Sequence, residues 1–550
     1  MADILFGFNN SKSVLENQNK AEDLHYINLG QQYGCKIFGK DGTYNIIRDG
    51  MDVIISIGYV CWIDGNSVQD TLSQILNYFK ESQIGDLKKR LIGEYILLVK
   101  KGTSIYIFSD FMGVRNIFYS HDGMIVSSSF VRIEDMVKTR ERDFDIYKFL
   151  EFLAMRHMFY PAWLGDLTYH KRIKWLLPSE YLVIDVEDSR FRVGSVVYSI
   201  DNRKQTDCAI LSNELISILI KIVARKEFAH LKVAALLTGG HDSRLIAAIA
   251  NNEFPDIHFR TAVSLDNPNS LRDLKVASKV ARVQRVPLDV FCFQPRRDKE
   301  RFFELTEGLS PAFNHLMTPV IDAAGAYSLG FGGAFGTELF EPIPWNSFDA
   351  FFQERIKRAK RALKAEDGFW KYFQDSIYEV FRKIKENYVL SIYDERDYMR
   401  IFCLVNTARY GSFILSAFNC LGLQLDPYSN YAIFELAIRV SPNLWGNEKR
   451  IGGIALVQKA AMGRLNPNLG RVMAYMHFRP MLPLTVRTCP KYLVGYALQI
   501  GHRLKERYAS RKKKLQKINL PGSCYLSDGW ETYYITRTIK KYGMAFSPKK

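Results

Sequence analysis

A glycine-rich turn flanked by hydroxyl and carboxylate side chains is the feature of this sequence best suited to chemistry. It joins an apolar run to a helical pattern and reads Leu236-Leu237-Thr238-Gly239-Gly240-His241-Asp242-Ser243-Arg244. Glycines let a backbone approach a ligand closely, and the first turn of a helix offers free N–H groups and the positive end of a dipole. The pattern predicts a phosphate-binding turn, with Thr238 and Ser243 as hydroxyl donors and Asp242 as a ligand for Mg²⁺.

Other phosphate-binding and catalytic motifs are missing from the sequence. It contains no GxxxxGK[ST], HExxH or GxSxG, and Gly330, Gly332 and Gly336 miss the GxGxxG spacing by one residue. The alternative interpretation of residues 238–243 is an ordinary strand-to-helix turn in which Asp242 caps the helix.

The elements around this turn predict a parallel sheet. Apolar strands alternate with helical patterns, in the order 233–237, 242–250, 257–263, 271–283 and 288–293. Strands that are apolar throughout and alternate with helices are typical of a parallel sheet covered on both faces. Such sheets bind ligands at the carboxyl ends of their strands, where the glycine turn is expected to lie. Beyond residue 300 the sequence predicts mainly helices.

The first 195 residues have a different pattern, which predicts an α+β sandwich of antiparallel strands. Short runs of β-branched and aromatic residues, separated by Asp-Gly turns, predict strands at 4–8, 53–60, 95–100, 105–109 and 124–129. Helical patterns interrupt them at 68–79 and 146–158. The polar stretch 201–207 is the best boundary, and a helix is expected behind a cap at Thr206 or Asp207. The predicted domains are 1–200, 201–490 and a basic C-terminal extension, 491–550.

Composition narrows the class of protein. Apolar residues make up 47% of the 550 residues and charged residues 24%, which excludes wholesale disorder. No uninterrupted apolar stretch approaches the roughly 18–20 residues of a membrane span, and the acidic start of the chain does not resemble a secretory signal. We therefore expect a cytoplasmic protein without a membrane span. The eight cysteines form no CxxC pair, which argues against a zinc ribbon or a disulfide scaffold.

The net charge of +17 is concentrated at one end of the chain. Residues 501–550 contain thirteen Lys and Arg against three Asp and Glu, a net +10. A local basic tail favours a solvated segment over an extended nucleic-acid surface, so nucleic acid is not an expected partner. Contact of the tail with RNA, anionic lipid or an acidic partner is the alternative.

Several of these motifs resemble those of one family. Residues 238–243 are similar to the SGGLDS pyrophosphate loop of asparagine synthetases, which belong to the PP-loop ATP pyrophosphatases. Ser264 and Asp273, the stretch 333–340 and the stretch 427–435 match further family motifs in order and spacing. In the N-terminal part, 91–95 and 110–119 resemble a class II glutaminase domain, so the resemblance extends to about residue 480.

The resemblance implies a fold and an activity. The fold would be an N-terminal Ntn-hydrolase-like αββα sandwich followed by a PP-loop α/β synthetase domain with a largely helical C-terminal part. The activity would be that of an ATP-dependent carbon–nitrogen ligase, as in asparagine biosynthesis, in which a carboxylate is adenylated and AMP and pyrophosphate are released. ATP and Mg²⁺ are the implied cofactors. A small-molecule or peptide carboxylate, with ammonia or an amine, would be the substrates.

The resemblance also implies roles for individual residues. The residues expected to bind ATP or pyrophosphate are Thr238, Gly239, Gly240, His241, Asp242, Ser243 and Ser264. Asp242 would hold the metal. Glu338 would orient or deprotonate the attacking amine, and Lys449 would stabilise negative charge during adenylation. The alternatives are an exposed loop acid for Glu338 and a solvated turn for Lys449.

Four departures from the family pattern bear on function. Glutaminase domains of this class use an N-terminal cysteine as the nucleophile, whereas Ala2 follows Met1 here. Ala2 predicts that glutamine is not hydrolysed and that the sandwich is retained as a structural domain, as in β-lactam synthetases and lasso-peptide cyclases. Thr337 stands in place of an aspartate, which removes a second Mg²⁺ ligand, and Asn430 replaces the aspartate of a PFLD motif. His241 with Arg244 replaces leucine and serine.

The leading hypothesis is an asparagine-synthase-like ligase that takes ammonia or a substrate amine instead of glutamine nitrogen. One alternative is an amide- or lactam-forming ligase of a peptide, antibiotic or polysaccharide pathway. Another is a relative that binds nucleotide without turnover, which Ala2 and Thr337 favour. RNA modification by a PP-loop enzyme is the remaining option. The oligomeric state is not predicted.

Overall fold

A computed structural model provides the structure, and it describes most of the chain. The described residues are 3–8, 24–29, 33–38, 43–65, 67–123, 125–137, 141–158, 162–310, 316–363, 365–447, 453–474, 482–485, 488–495, 497–499, 516–518, 524–526 and 537–538. They form two large antiparallel sheets and one parallel sheet. The predicted order, antiparallel strands first and a parallel sheet second, is confirmed.

Two six-stranded antiparallel sheets make up the N-terminal half. The first has the order Ile173–Trp175, Phe118–Ser120, Ile125–Ser127, Asp3–Phe8, Tyr33–Phe38 and Leu24–Asn28. The second has the order Phe191–Ser195, Glu180–Asp185, Ser104–Ser109, Tyr95–Lys101, Asp52–Gly58 and Tyr44–Asp49. Alternate residues of both sheets, among them Phe6, Ile37, Ile55 and Leu98, share one buried cluster, so the sheets are stacked face to face.

Helices cover the outer faces of the two stacked sheets. Val68–Tyr78 places Leu72 and Leu76 on the face of the second sheet opposite the shared cluster. Phe130–Val137 covers the first sheet, where Phe130 meets the ring of Phe118 edge-on. Each sheet is therefore buried on both faces, which explains why its strands are apolar over several consecutive residues.

The parallel sheet has five strands and both of its faces are covered. Its order is Leu288–Cys292, His258–Val263, Val233–Leu236, Leu329–Phe331 and Leu423–Leu425. Ala235 and Phe259 face one hydrophobic cluster, whereas Leu236 and Ala262 face another. Because all five strands run in one direction, their carboxyl ends meet at one edge of the sheet.

Helices dominate the chain beyond the third parallel strand. The α-helices of the described residues are Val68–Tyr78, Ile84–Arg90, Phe130–Val137, Ile146–Met158, Cys208–Val223, Asp242–Glu253, Pro268–Gln284, Pro295–Leu305, Thr318–Asp322, Gly336–Phe340, Phe348–Ala362, Asp367–Asn387, Glu395–Leu421, Tyr431–Arg439, Pro442–Trp445, Leu456–Leu465 and Pro467–Gly470. Short strand pairs join Tyr198–Ile200 to Tyr388–Leu390, Cys61–Trp62 to Leu91–Ile92, Gly446–Asn447 to Gly453–Ile454, and Gln516–Ile518 to Cys524–Leu526.

The longest helix, Glu395–Leu421, lies in the core. By length and composition alone, its stretch from Glu395 to Asn419 is apolar enough to cross a membrane. That stretch is 78% buried inside the protein, which is the position of a core helix. Charged residues interrupt it, and the buried Arg400 and Arg409 both donate hydrogen bonds to backbone carbonyls.

The predicted boundary at 201–207 is a packed segment and not a free linker. Lys204 forms an ion pair with the buried Asp397 at 2.7 Å, and Asn202 donates to the same carboxylate at 2.9 Å. Asp207 caps the helix Cys208–Val223, as expected, by accepting from the N–H groups of Ala209 and Ile210. The three predicted domain ranges stay predictions.

Sequence patterns located most elements of the parallel sheet correctly and missed several strands of the sandwich. The strands at 24–28, 33–38, 44–49, 180–185 and 191–195 were not predicted. Cys35, Cys61 and Cys403 are buried, whereas Cys292 is exposed. These four, together with Cys208 and Cys489, form no disulfide.

Candidate functional site

The glycine turn lies at the carboxyl edge of the parallel sheet, between the strand Val233–Leu236 and the helix Asp242–Glu253. Leu237 continues the strand by donating its N–H to the carbonyl of Arg260 at 2.8 Å. His241 is the N-cap residue, but its side chain makes no capping hydrogen bond. The N-cap side chain therefore does not cap this helix, whose first N–H groups and positive dipole end are of the kind that binds anions.

Two hydroxyl groups hold the turn closed on itself. The Oγ atoms of Thr238 and Ser243 lie 2.8 Å apart, and the N–H of Thr238 donates to Ser243 Oγ at 3.1 Å. Gly240 donates its N–H to Thr238 Oγ1 at 3.3 Å. The predicted binding residues Thr238, Gly240 and Ser243 are therefore brought together in one preorganised loop.

The peptide of Gly239 is held from both sides. Its N–H donates to Asp273 Oδ1 at 2.6 Å, and its carbonyl accepts from the guanidinium of Arg244 at 3.2 Å. Arg244 is fully buried and also donates to the carbonyl of Val472 at 2.6 Å. Burial lowers the pKa of Arg244 to about 10, while the nearby Asp273 carboxylate opposes that change. The departure at Arg244 thus fixes the loop from behind and leaves the front of the turn open.

A second glycine loop, residues 332–336, packs against the start of the helix. A Cβ at Gly333 would lie 2.6 Å from the backbone N of Ser243, and one at Gly336 would lie 2.4 Å from Cγ of Asp242. Phe335, between them, has a left-handed backbone with φ of 72°. Glycine is required at 333 and 336 because side chains would fill the space in front of the helix N-terminus.

The Asp242 carboxylate accepts hydrogen bonds from two distant segments of the chain. Thr337 Oγ1 donates to its Oδ2 at 3.1 Å, and Gln458 Nε2 donates to its Oδ1 at 2.7 Å. Burial raises the pKa of the Asp242 carboxyl to about 6, although the hydrogen bonds from Gln458 and Thr337 act to lower it. A partly buried carboxylate with a raised pKa gains from a nearby cation, which favours its charged form.

The oxygen atoms around Asp242 suit Mg²⁺. Gln458 Oε1 is buried and has no hydrogen-bond partner among the described residues, and it sits on the side chain that already touches Asp242. Carboxylate, amide and hydroxyl oxygens are ligands that Mg²⁺ accepts, usually together with water and phosphate oxygens. The described residues contain no group of three or more His, Cys, Asp or Glu that forms a complete metal cage. The residues present therefore fit a Mg²⁺ ion shared with a phosphate ligand.

Glu338 is not an exposed loop acid. It is buried on the short helix Gly336–Phe340, one residue beyond Thr337. Arg400 lies beneath this helix and donates to the carbonyls of Glu338 and Glu341 at 3.0 and 2.9 Å. The structure thus brings Glu338 to the neighbourhood of Asp242, and its role as a base stays a prediction.

Two of the remaining predicted residues, His241 and Ser264, lie among the described residues. His241 is buried, and its Nδ1 lies 3.7 Å from a carboxylate oxygen of Glu341. Ser264 follows the strand His258–Val263 at the same edge of the sheet, and its N–H donates to Ser270 Oγ at 2.9 Å. Lys449 and Ala2 lie outside the described residues.

The departure at Asn430 has a structural role. Its Oδ1 accepts the N–H of Gly93 at 3.0 Å, and its Nδ2 donates to the carbonyl of Pro427 at 2.8 Å. Asn430 therefore ties the C-terminal half to the sandwich through one amide that acts as both acceptor and donor.

Gln458 was not predicted as a residue of the site. It lies within the helix Leu456–Leu465, more than two hundred residues from Asp242 along the chain. No motif or spacing marks it, because the contact depends on how that helix packs against the helix that begins at Asp242.

A cavity of about 320 Å³ lies elsewhere, where the two halves meet. The sandwich lines it with residues that include Gly58, Tyr59 and Arg115, and the C-terminal half contributes Glu227 and Asn419. No cysteine is among the described residues that line this cavity.

No protein-family model matches the chain, and no curated protein matches it. Among solved structures, glutamine phosphoribosylpyrophosphate (PRPP) amidotransferase from B. subtilis, complexed with ADP and GMP, aligns at 12% identity and a TM-score of 0.19. That alignment covers 49% of this chain and only 53% of the other. A structure of the allosteric regulatory enzyme of purine biosynthesis aligns at 11% identity and a TM-score of 0.21, over 65% of this chain and 72% of the other. TM-scores this low do not establish a shared overall fold.

Proposed function

We propose that the protein is an asparagine-synthase-like, ATP-dependent carbon–nitrogen ligase that activates a carboxylate as an acyl-adenylate and joins it to ammonia or a substrate amine. The observation that carries the proposal is the arrangement at Asp242. A helix N-terminus without an N-cap side-chain hydrogen bond, a preorganised hydroxyl-bearing turn and a partly buried carboxylate beside the spare amide oxygen of Gln458 converge at the carboxyl edge of a parallel sheet.

The chain's own residues would each act on the phosphates or on charge. The N–H groups at the start of the helix Asp242–Glu253 and the hydroxyls of Thr238 and Ser243 would bind the pyrophosphate portion of ATP. Asp242, with Thr337 and Gln458 beside it, would hold Mg²⁺. Mg²⁺ supplies stabilisation of the negative charge that builds on the leaving pyrophosphate. Glu338 would orient or deprotonate the attacking amine.

The nitrogen source follows from Ala2. An alanine side chain has no nucleophilic atom, so the sandwich, interpreted as an Ntn-hydrolase-type domain, would not release ammonia from glutamine. Internal cysteines do not replace it. Cys35 and Cys61 are both fully buried, and Arg225 donates to Cys61 Sγ at 2.7 Å.

The decisive experiment measures AMP and pyrophosphate release from Mg-ATP by the purified protein. Aspartate is the first carboxylate tested, with and without ammonium or glutamine, followed by small-molecule and peptide carboxylates with amines. We expect AMP formation that does not depend on glutamine. Asp242→Asn should reduce it about 1,000-fold, since it removes the charge that holds the cation, while the melting temperature changes by only a few degrees. Unchanged turnover in this variant, or glutamate release from glutamine by the wild-type protein, would contradict the proposal.

A second candidate, nucleotide binding without turnover, is favoured by one specific observation. Both carboxylate oxygens of Asp242 are already hydrogen-bonded, by Thr337 and Gln458, and Thr337 stands where the resembling family has an aspartate. Wild-type protein that binds Mg-ATP but forms no AMP with any carboxylate and amine would support this candidate. Thr337→Asp would then be expected to strengthen Mg²⁺ binding.

A further inference from the structure

Two buried carboxylates meet where the sandwich joins the C-terminal half. Glu94 precedes the strand Tyr95–Lys101, and Asp426 follows the strand Leu423–Leu425 at the carboxyl edge of the parallel sheet. Glu94 is fully buried and Asp426 is 2% exposed. Burying two acids close together costs free energy unless hydrogen bonds compensate for the lost hydration. The hydrogen-bond partners of the two carboxylates therefore indicate what each one holds in place.

Both oxygens of Glu94 accept hydrogen bonds from the C-terminal half. Oε1 accepts the backbone N–H of Asp426 at 2.8 Å, and Oε2 accepts the side-chain Nδ2 of Asn419 at 3.0 Å. The orientation of Asn419 is fixed, because its Oδ1 accepts the N–H of Gln424 at 2.9 Å. Only a group with two acceptor atoms satisfies both donors, and a carboxylate is such a group.

The side chain of Asp426 contacts the second glycine loop, residues 332–336. Its Oδ1 accepts the N–H of Ala334 at 2.7 Å. The same carboxyl fills the space above Gly332, where a Cβ would lie 2.2 Å from Oδ1. The loop 332–336 is therefore held against Asp426 at two successive places.

That loop in turn touches the candidate site. Gly333 and Gly336 abut Ser243 and Asp242, and Thr337 donates to Asp242 at 3.1 Å. A chain of direct contacts thus runs from Glu94 through Asp426 and residues 332–337 to Asp242.

The charged groups that act on Glu94 come from both halves. Asp426 and Asp110 oppose its ionisation, whereas Arg115 favours it. Burial, more than any of these, raises the pKa of Glu94 well above its usual range and that of Asp426 to about 6. Asp426 is thus both a hydrogen-bond donor to Glu94, through its backbone, and a charge that acts on it.

We propose that Glu94 is a positioning residue through which the sandwich orders the nucleotide site, by way of Asp426 and the loop 332–337. This inference rests on the proposed function for its kinetic readout. In this arrangement the sandwich would act on the site of the other half through direct contacts and not through chemistry of its own.

The test uses the full-length protein and four variants. Glu94→Ala removes both accepted bonds, and Glu94→Gln replaces one acceptor by a donor that faces Asn419. Glu94→Gln combined with Asn419→Asp restores both bonds with one of them reversed. The matched control is Glu307→Ala, which also breaks a contact between the halves. Glu307 accepts the N–H of Phe130 at 2.6 Å, at the start of the helix Phe130–Val137 that covers the first sheet.

Two readouts are measured for each variant: hydrogen–deuterium exchange of peptides that cover 332–341, and kcat and KM for Mg-ATP in AMP formation. We expect Glu94→Ala to speed exchange at Ala334 about tenfold or more. It should lower kcat about 10- to 100-fold, with a smaller change in KM because residues 238–243 still bind ATP. The exchange rate and kcat of Glu94→Gln should lie between those of the wild-type protein and Glu94→Ala, and the double variant should return both towards the wild-type values. Glu307→Ala should change the exchange rate of 332–341 and kcat by no more than about threefold each.

The outcomes separate this inference from the proposed function. If wild-type protein forms no AMP but Glu94→Ala speeds exchange at 332–341 while Glu307→Ala does not, the ligase proposal fails and the positioning role stands. Equal effects of Glu94→Ala and Glu307→Ala would overturn the positioning role, since general loosening of the halves would explain both. Unchanged exchange and kinetics in Glu94→Ala would also overturn it.

Discussion

A buried carboxylate of the sandwich and two buried side chains of the C-terminal half differ in how completely their oxygen atoms are hydrogen-bonded. In the sandwich, Asp110 is fully buried and accepts three backbone N–H groups, from Met112, Val114 and Arg115. In the C-terminal half, Gln458 and Asp426 each keep one buried oxygen without a hydrogen-bond partner among the described residues. Polar groups that are fully satisfied stabilise a fold, whereas spare acceptors beside a helix N-terminus are available for a ligand. The contrast holds for these residues: Asp110 stabilises its own turn, whereas Gln458 and Asp426 keep acceptors near the candidate site. It does not extend to every buried group, since Asn116 Oδ1 in the sandwich also has no partner among the described residues.

The largest effect is expected for Gly336→Ala, which changes the candidate site in the C-terminal half and should lower the rate of AMP formation. In Gly336→Ala the new Cβ would lie 2.4 Å from Cγ of Asp242, so the carboxylate or the loop must move. A displacement of about 1 Å at a reacting site costs on the order of 100-fold in rate. We expect AMP formation to fall by that factor. The matched control is Gly368→Ala, whose Cβ would meet nothing closer than 3.3 Å. Comparable losses in both variants would break the contrast.

A smaller effect, on stability alone, is expected at Lys88 in the sandwich. Its ammonium is fully buried and donates to the carbonyl of Pro178 at 2.6 Å. Burial lowers the pKa of Lys88 from 10.5 to about 8. Between these two values the unfolded chain binds more protons than the folded one, so this residue makes stability rise with pH.

Lys88→Met removes that dependence. Relative to the variant, the wild-type protein should gain up to about 3 kcal/mol in free energy of unfolding between pH 7 and pH 10.5, as measured by denaturant unfolding. AMP formation near pH 7 should be unchanged, because Lys88 touches no residue of the candidate site. A difference between the two proteins that does not vary with pH would show that Lys88 is not desolvated in this way.

The smallest effect is expected at Asn430. Asn430→Ala leaves the buried N–H of Gly93 without its acceptor, which costs about 1–2 kcal/mol of stability. Thermal unfolding should detect this loss, and kcat for AMP formation should stay within about twofold. A large loss of activity with normal stability would instead place Asn430 in the chemistry, against its structural assignment.

Local sequence determined the unit that carries the candidate site. An apolar run, two glycines and a helical repeat predict the strand, turn and helix over 233–250, because each signal depends only on neighbouring residues. The structure has them at Val233–Leu236 and Asp242–Glu253. The capping role of Asp207 was predicted for the same reason. The strands at 24–28 and 33–38 were missed. The strand 33–38 pairs with 24–28 on one side and with 3–8 on the other, and this pairing is not visible in local alternation.

Tertiary structure alone decided what surrounds Asp242. Gln458 reaches it from a distant helix, and Glu94 reaches it through Asp426 from the opposite half of the chain. Contacts across hundreds of residues leave no periodicity or spacing in the sequence, since they depend on how finished elements pack. Local residues were therefore enough to locate the glycine turn between strand and helix, for which phosphate binding is the proposal. Only the packing of distant elements determines which carboxylates are buried, which oxygen atoms have no hydrogen-bond partner among the described residues, and which contacts connect the sandwich to the site.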